Sequence, residues 1–228
     1  MIETPSPNHS ARPPAGRIDM VLLHYTGMQS ARAALDRMCD ADAAVSAHYL
    51  IEEDGTVHRL VDETRRAWHA GLAGWAGGTD INDRSVGIEL ANPGHEFGYR
   101  GFPESQMTAL EGLLAGILTR HPIPAHRVLG HSDVAPMRKQ DPGELFDWRR
   151  LARGGLAFWP VPVGPSRTPD PAAARVMLQR CGYRLDKTDA GFAAGLVAFQ
   201  RRFRPTRCDG RLDGQTMGLL AAAAEQWR

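Results

Sequence analysis

The chain of 228 residues is 43% hydrophobic and 23% charged, enough apolar material for a sizeable core. Its 27 Lys and Arg against 26 Asp and Glu leave no basic field, so neither nucleic acid nor an anionic membrane surface is an expected partner. No apolar run reaches membrane-spanning length, and the polar opening MIETPSPNHSARPPAG lacks the features of a secretory signal; the expected location is the cytoplasm, or the periplasm if a signal has been removed.

In chain order, IDMVLLHYT is a buried-strand candidate, followed by a helical stretch from Gln29 to about Cys39. HYLIEEDGTVHRLV predicts two short strands around an Asp54-Gly55 turn, and SVGIELAN another buried strand. Met107, Leu110, Leu113, Leu114, Ile117 and Leu118 recur at three- and four-residue spacing, which predicts a helix from Ser105 that ends before His121-Pro122. RVLGH is a short strand running into GHSDVAPMRKQDPG. Alternating strands and helices predict an α/β fold with a central mixed sheet flanked by helices. WPVPVGPSRTPDP, residues 159–171, carries five prolines and reads as a semi-rigid linker. Beyond it only helical signals occur: DPAAARVMLQRCG with an Asp-Pro start and a Gly end, AGFAAGLVAFQRRF, and LDGQTMGLLAAAAEQW. The predicted domains are therefore 1–158, the linker 159–171, and a small all-α three-helix domain, 172–228. Three cysteines without CxxC spacing argue against a disulfide framework, so Cys39, Cys181 and Cys208 are expected as buried free thiols, although Cys181 and Cys208 could pair.

Hydrolytic zinc sites use three protein ligands and leave the fourth position for water. His24 follows DMVLL and His131 follows VLG, so both stand at strand ends, where neighbouring strands aim their side chains into one cleft. Asp141, ten residues after His131, could return as an anionic third ligand, and Lys139 lies beside it as a candidate oxyanion stabiliser. Glu89 sits in an apolar strand, where burial would raise its pKa into a range useful for a general base; pairing with an arginine is the alternative. His48 and His69 sit among small or apolar residues and are candidates for the layer behind the ligands or for the substrate cleft. Tyr49, Trp68 and Trp75 could stack on a sugar or peptide, or simply fill the core. His9, His58, His95, His121 and His126 read as ordinary residues. Arg138 is either a contact for a peptide carboxylate or a solvated charge, and Asp133 is expected to fix its loop.

LLHYTGM, VSAHYLIEEDG, RAWHAGLAGW, DRSVGIELANPG and LGHSDVAPMRKQDPG, in that order, resemble the zinc-dependent N-acetylmuramoyl-L-alanine amidases of the amidase-2 family, and SPNHSARP is similar to the opening segment of its bacterial members. The resemblance implies one zinc ion on His24, His131 and Asp141, with Glu89 as general base and Lys139 as oxyanion stabiliser. It implies hydrolysis of the amide between the lactyl group of N-acetylmuramic acid and L-alanine of the stem peptide. LQRCGYRLD, LVAFQRRFRP and DGRLDGQTMGLL resemble a peptidoglycan-binding three-helix module, in which Phe199 and Gln200 would be core and turn residues. Both parts together resemble the AmiD- and AmpD-like branch, which implies a muropeptide or peptidoglycan fragment, the 1,6-anhydro form included, as substrate of a monomer. Rival readings are an inactive peptidoglycan-recognition protein and a zinc amidohydrolase for another acyl-amino-acid bond.

Overall fold

Side chains along a β-strand alternate between the two faces of its sheet, and here that alternation decides which residues can meet. The computed structural model describes residues 1–14, 16–162 and 168–227. Its strands are β1 (Ile2–Glu3), β2 (His9–Ala11), β3 (Met20–Tyr25), β4 (Tyr49–Ile51), β5 (Val57–Arg59), β6 (Arg65–Ala67), β7 (Ser85–Leu90) and β8 (Val128–Gly130). Its α-helices are α1 (Ala31–Cys39), α2 (Ile81–Arg84), α3 (Gly94–Phe97), α4 (Glu104–Arg120), α5 (His131–Val134), α6 (Trp148–Arg153), α7 (Pro171–Arg180), α8 (Asp189–Phe203) and α9 (Gly214–Gln226). The main sheet has the order β1-β5-β4-β7-β3-β8, while β2 pairs with β6. The β4, β7, β3 and β8 neighbours run parallel and β5 runs antiparallel to β4, so the sheet is mixed, with helices on both faces.

On one face Val21 and Leu23 of β3, Val86, Ile88 and Leu90 of β7, and Tyr49 and Ile51 of β4 join Met107, Leu110, Leu114 and Ile117 of α4 in a single core. Each side chain of this size contributes about 2 kcal/mol when fully buried. On the opposite face Leu50 lies in a small core with Ala34, Leu35 and Met38 of α1. A third core runs from Met20, Leu22 and Leu129 through Trp75, Ile81 and Val134 into Leu178, Phe199, Phe203 and Leu220 of the C-terminal helices. These helices start where the sequence supplies caps: Asp170 accepts from Ala172 and Ala173, Thr188 from Gly191, and Asp213 from Thr216. They share a hydrophobic core with the sheet. Within the proline-rich stretch, residues 163–167 lie outside the described residues. The three cysteines are free, as expected, although only Cys181 is fully buried.

Tyr49 requires a correction. It lies one residue from His48, so the two side chains point to opposite faces, and Tyr49 joins the α4 core away from the cleft. Its hydroxyl donates to Glu63 at 2.7 Å, where Arg120 at 2.7 Å and His121 at 2.6 Å also meet the carboxylate. Burial alone would raise the Glu63 pKa; the hydrogen bonds from Arg120, Tyr49 and His121 outweigh it and hold the group at about 2 instead of the ordinary 4.5. A carboxyl depressed in the folded state adds stability that is complete above its unfolded pKa and disappears as pH falls through the folded one. The wild type should therefore lose on the order of 2 kcal/mol more than Glu63→Gln between pH 5 and pH 2.5 in urea melts. Parallel acid limbs for the two proteins would show that Glu63 is not held in this way.

Candidate active site

β3 and β7 pair in parallel with His24 opposite Glu89, and both side chains project from the face of the sheet that α4 does not cover. The neighbouring strand β8 ends at Gly130, and His131 begins α5 directly after it. The chain then loops through Lys139 to Asp141, whose carbonyl accepts from the backbone N–H of Ser132 at 2.9 Å and so closes the loop on itself.

Three buried atoms meet at one point. Nδ1 of His24 is 3.0 Å from Nδ1 of His131 and 2.9 Å from Oδ2 of Asp141, and Nδ1 of His131 is 3.0 Å from the same oxygen. The far nitrogens are engaged elsewhere: Nε2 of His131 donates to the carbonyl of Ala70 at 2.9 Å, and Nε2 of His24 meets Nδ1 of His69 at 3.0 Å. Each neutral imidazole carries one N–H, and with both protons pointing outward the two Nδ1 lone pairs face each other and a carboxylate. Burial, and next the neighbouring His131, push His24 down to about 4 against the pull of Asp141, so it is neutral at pH 7. Two bare imidazole nitrogens and a carboxylate are a donor set that fits a divalent metal ion.

Glu89 stands beside this group, partly open to a cleft of about 470 Å³ lined also by Thr26, Met28, Arg37 and Phe97. Its Oε2 is buried without a hydrogen-bond partner, and burial followed by the charge of Asp141 raises its pKa well above the ordinary value, with Lys139 opposing. The arginine pairing left open by the sequence is not found among the described residues. Lys139 is half-buried and its charge acts on both His24 and Glu89.

The sequence matches the family Amidase_2, N-acetylmuramoyl-L-alanine amidase, over residues 14–144. The chain belongs to this family. AmiD of Escherichia coli K12, also an N-acetylmuramoyl-L-alanine amidase, is 34% identical over 92% of this chain and 84% of its own length. The solved complex of E. coli AmiD with anhydro-N-acetylmuramic acid-L-Ala-D-γ-Glu-L-Lys matches with a TM-score of 0.84, 33% identity, 95% of this chain and 93% of that one. AmpDh3 of Pseudomonas aeruginosa in complex with anhydromuramic pentapeptide matches with a TM-score of 0.83, 32% identity and 97% of both chains. This chain is thus a hydrolase, with amide hydrolysis in peptidoglycan as its reaction class.

Other residues singled out in the sequence take supporting positions in the amidase. His69 lies against His24, its Nε2 3.2 Å from the Ser85 hydroxyl, and its backbone N–H is held by the Asn82 side chain. His48 is buried under the cleft: its Nδ1 accepts from the Gly87 N–H at 2.9 Å and its Nε2 contacts Arg12 and the Arg65 carbonyl, so it has no face for substrate. Trp68 donates from its indole to Ser10 on β2, and Trp75 is core. Arg138 is exposed, and its Nη2 donates to the carbonyls of Ala70 and Leu72 at 2.8 and 2.9 Å, which ties the loop to the segment after His69. Asp133 does fix its loop, accepting from the Gly130 N–H at 2.9 Å.

Sequence reasoning missed Tyr25, His95 and Glu144 as a connected group beside the site. The Tyr25 hydroxyl is 2.9 Å from His95 Nδ1, and His95 Nε2 is 3.2 Å from Glu144. His95 had no distinguishing neighbours in the sequence; only its place after the β7 strand end hinted at the cleft.

Gly87 makes room for His69: a Cβ there would come within 2.5 Å of the ring. Gly87→Ala should push His69 off His24 and, if zinc is the ion this donor set takes, weaken its binding by about ten- to a hundredfold in competition with a chromophoric chelator. Unchanged affinity would mean that His69 does not orient His24.

Proposed function

We propose that this amidase cleaves the amide between the lactyl group of N-acetylmuramic acid, including its 1,6-anhydro form, and L-alanine of the stem peptide, with one zinc ion held by His24, His131 and Asp141. The observation that carries the proposal is the meeting of three buried candidate donor atoms beside Glu89, whose Oε2 has no hydrogen-bond partner. When bound, zinc polarises a carbonyl and lowers the pKa of water. Glu89 takes the proton from the water that attacks the lactyl carbonyl carbon, and its raised proton affinity suits that task. The Lys139 ammonium faces the negative charge that develops on the carbonyl oxygen. As the C–N bond breaks, Glu89 returns the proton to the amine of alanine.

The relatives solved with anhydro-muramyl peptides support the choice of substrate class. All five side chains come from one chain, which supports a monomer as the working unit. The division into a catalytic part, 1–158, a linker, 159–171, and a three-helix part, 172–228, that holds glycan or peptide near the cleft belongs to the same proposal. The continuous core between sheet and helices supports fixed attachment over a swinging tether.

The test is mass spectrometry of products from MurNAc-peptide and anhydro-MurNAc-tripeptide, with and without chelator. Peptide with a free N-terminal L-alanine should be released only when metal is present. Glu89→Ala should keep stoichiometric zinc and lose about 10²- to 10⁴-fold in kcat, whereas His131→Ala should lose the zinc as well. Zinc bound without cleavage of either substrate would favour a recognition protein; cleavage elsewhere in the peptide would favour a different amidohydrolase.

A further inference from the structure

The loop from Gly130 to Glu144 carries two of the three candidate metal ligands, and it also carries two carboxylates outside that set, Asp133 and Glu144. Both face helix α8 of the C-terminal part. Arg202, 2% exposed, donates from Nη1 to Asp133 Oδ2 at 2.8 Å and from Nη2 to the Val128 carbonyl at 3.0 Å. Its guanidinium lies 4.2 Å from the ring centre of Trp148 on α6. Asp133 is fully buried, and its other oxygen accepts from the Tyr183 hydroxyl at 2.6 Å. The adjacent Arg201 brings Nε to 3.5 Å from Glu144, three residues beyond Asp141. Successive residues on a helix diverge by about 100°, so one short segment of α8 can reach both ends of the loop.

The Arg202 contact leads to the ligand His131 by a short path. Asp133 Oδ2 also accepts the N–H of Gly130, which sets the direction in which the chain enters α5 with His131 as its first residue. From that position the ring can donate to Ala70 and turn Nδ1 towards His24 and Asp141. A charge-assisted pair to a planar guanidinium fixes the carboxylate in orientation as well as position, which a lysine cannot do in the same way. Nothing in the proposed mechanism calls for Asp133, Tyr183 or Arg202, yet all three are buried together at the junction of sheet and helices.

We propose that Arg202, with Tyr183, is a positioning residue for the metal site: from the C-terminal helices it locks Asp133 and thereby aims His131, so these helices form part of the zinc-binding unit. The inference rests on the reading of His24, His131 and Asp141 as zinc ligands. Tyr183→Phe removes one hydrogen bond and keeps the ring packing, and Arg202→Lys keeps the charge and removes the fork. In the full chain, both should lower zinc affinity tenfold or more by chelator competition, and at saturating zinc should lower kcat with KM little changed. Leu114→Ala, in the α4 core away from the loop, provides the comparison: it should lower Tm and leave zinc affinity unchanged. Should Arg202→Lys fail to fold, Tyr183→Phe decides alone. Folded Tyr183→Phe with zinc affinity within twofold of wild type would overturn the proposal. Wild type that binds zinc but releases no peptide would count against the amidase mechanism while the zinc titrations still decide this inference; wild type that binds no zinc would remove the basis of both.

Discussion

Two imidazole nitrogens and a carboxylate oxygen meet about 3 Å apart in a buried pocket, and with the ring protons on the outer nitrogens their lone pairs face one another, an arrangement that favours positive charge between them. The fold maintains it by occupying the outer nitrogens. His131 spends its N–H on the Ala70 carbonyl, and His24 is backed by His69, which Gly87 admits by having no side chain. Burial keeps His24 neutral, with its Nδ1 lone pair turned inward.

The sheet supplies the rest of the geometry. Parallel pairing of β3 with β7 places Glu89 level with His24, and pairing of β3 with β8 brings His131 to the same end of the sheet. The face bearing these groups packs against α1 and, elsewhere, against the C-terminal helices, and the cleft onto which Glu89 opens is lined by α1 and the segments at the ends of β3 and β7. Much of the molecule beneath is a polar scaffold. Arg12 bonds the carbonyls of Glu63, Asn82, Asp83 and Ser85, and Asn8 those of Met38, Asp40 and Val45, so the N-terminal arm ties together the loops behind the site. A site whose residues come from segments as distant as His24 and Asp141 depends on such ties to hold its geometry.

How far this was legible in the sequence depended on the range of the signal. Long apolar runs marked β3 and β7, helical periodicity marked α4, and residues at strand ends identified His24 and His131 before any contact was known. Glu89 was conspicuous because a carboxylate stood inside an apolar strand. Tyr49 was misplaced because aromatic character says nothing about strand face, and a shift of one residue from His48 reverses it. Strands as short as β1, β2 and β6 exist only through their partners and leave no periodic trace. The bonds from Arg138 to the carbonyls of residues 70 and 72 left no local trace in the sequence, because they join segments more than sixty positions apart. The five prolines marked the change to helices alone, while the core that Trp75, Tyr183 and Phe199 share left no trace because it joins residues more than a hundred positions apart.

The account turns on whether zinc occupies the meeting point of His24, His131 and Asp141. Zinc-edge X-ray absorption on the 228-residue chain loaded with one equivalent of the metal tests this most directly. The account predicts a coordination shell of two imidazoles and light oxygen donors, without sulfur, that is lost in His131→Ala. A sulfur-containing shell, or a spectrum unchanged in that variant, would place the metal elsewhere and contradict it.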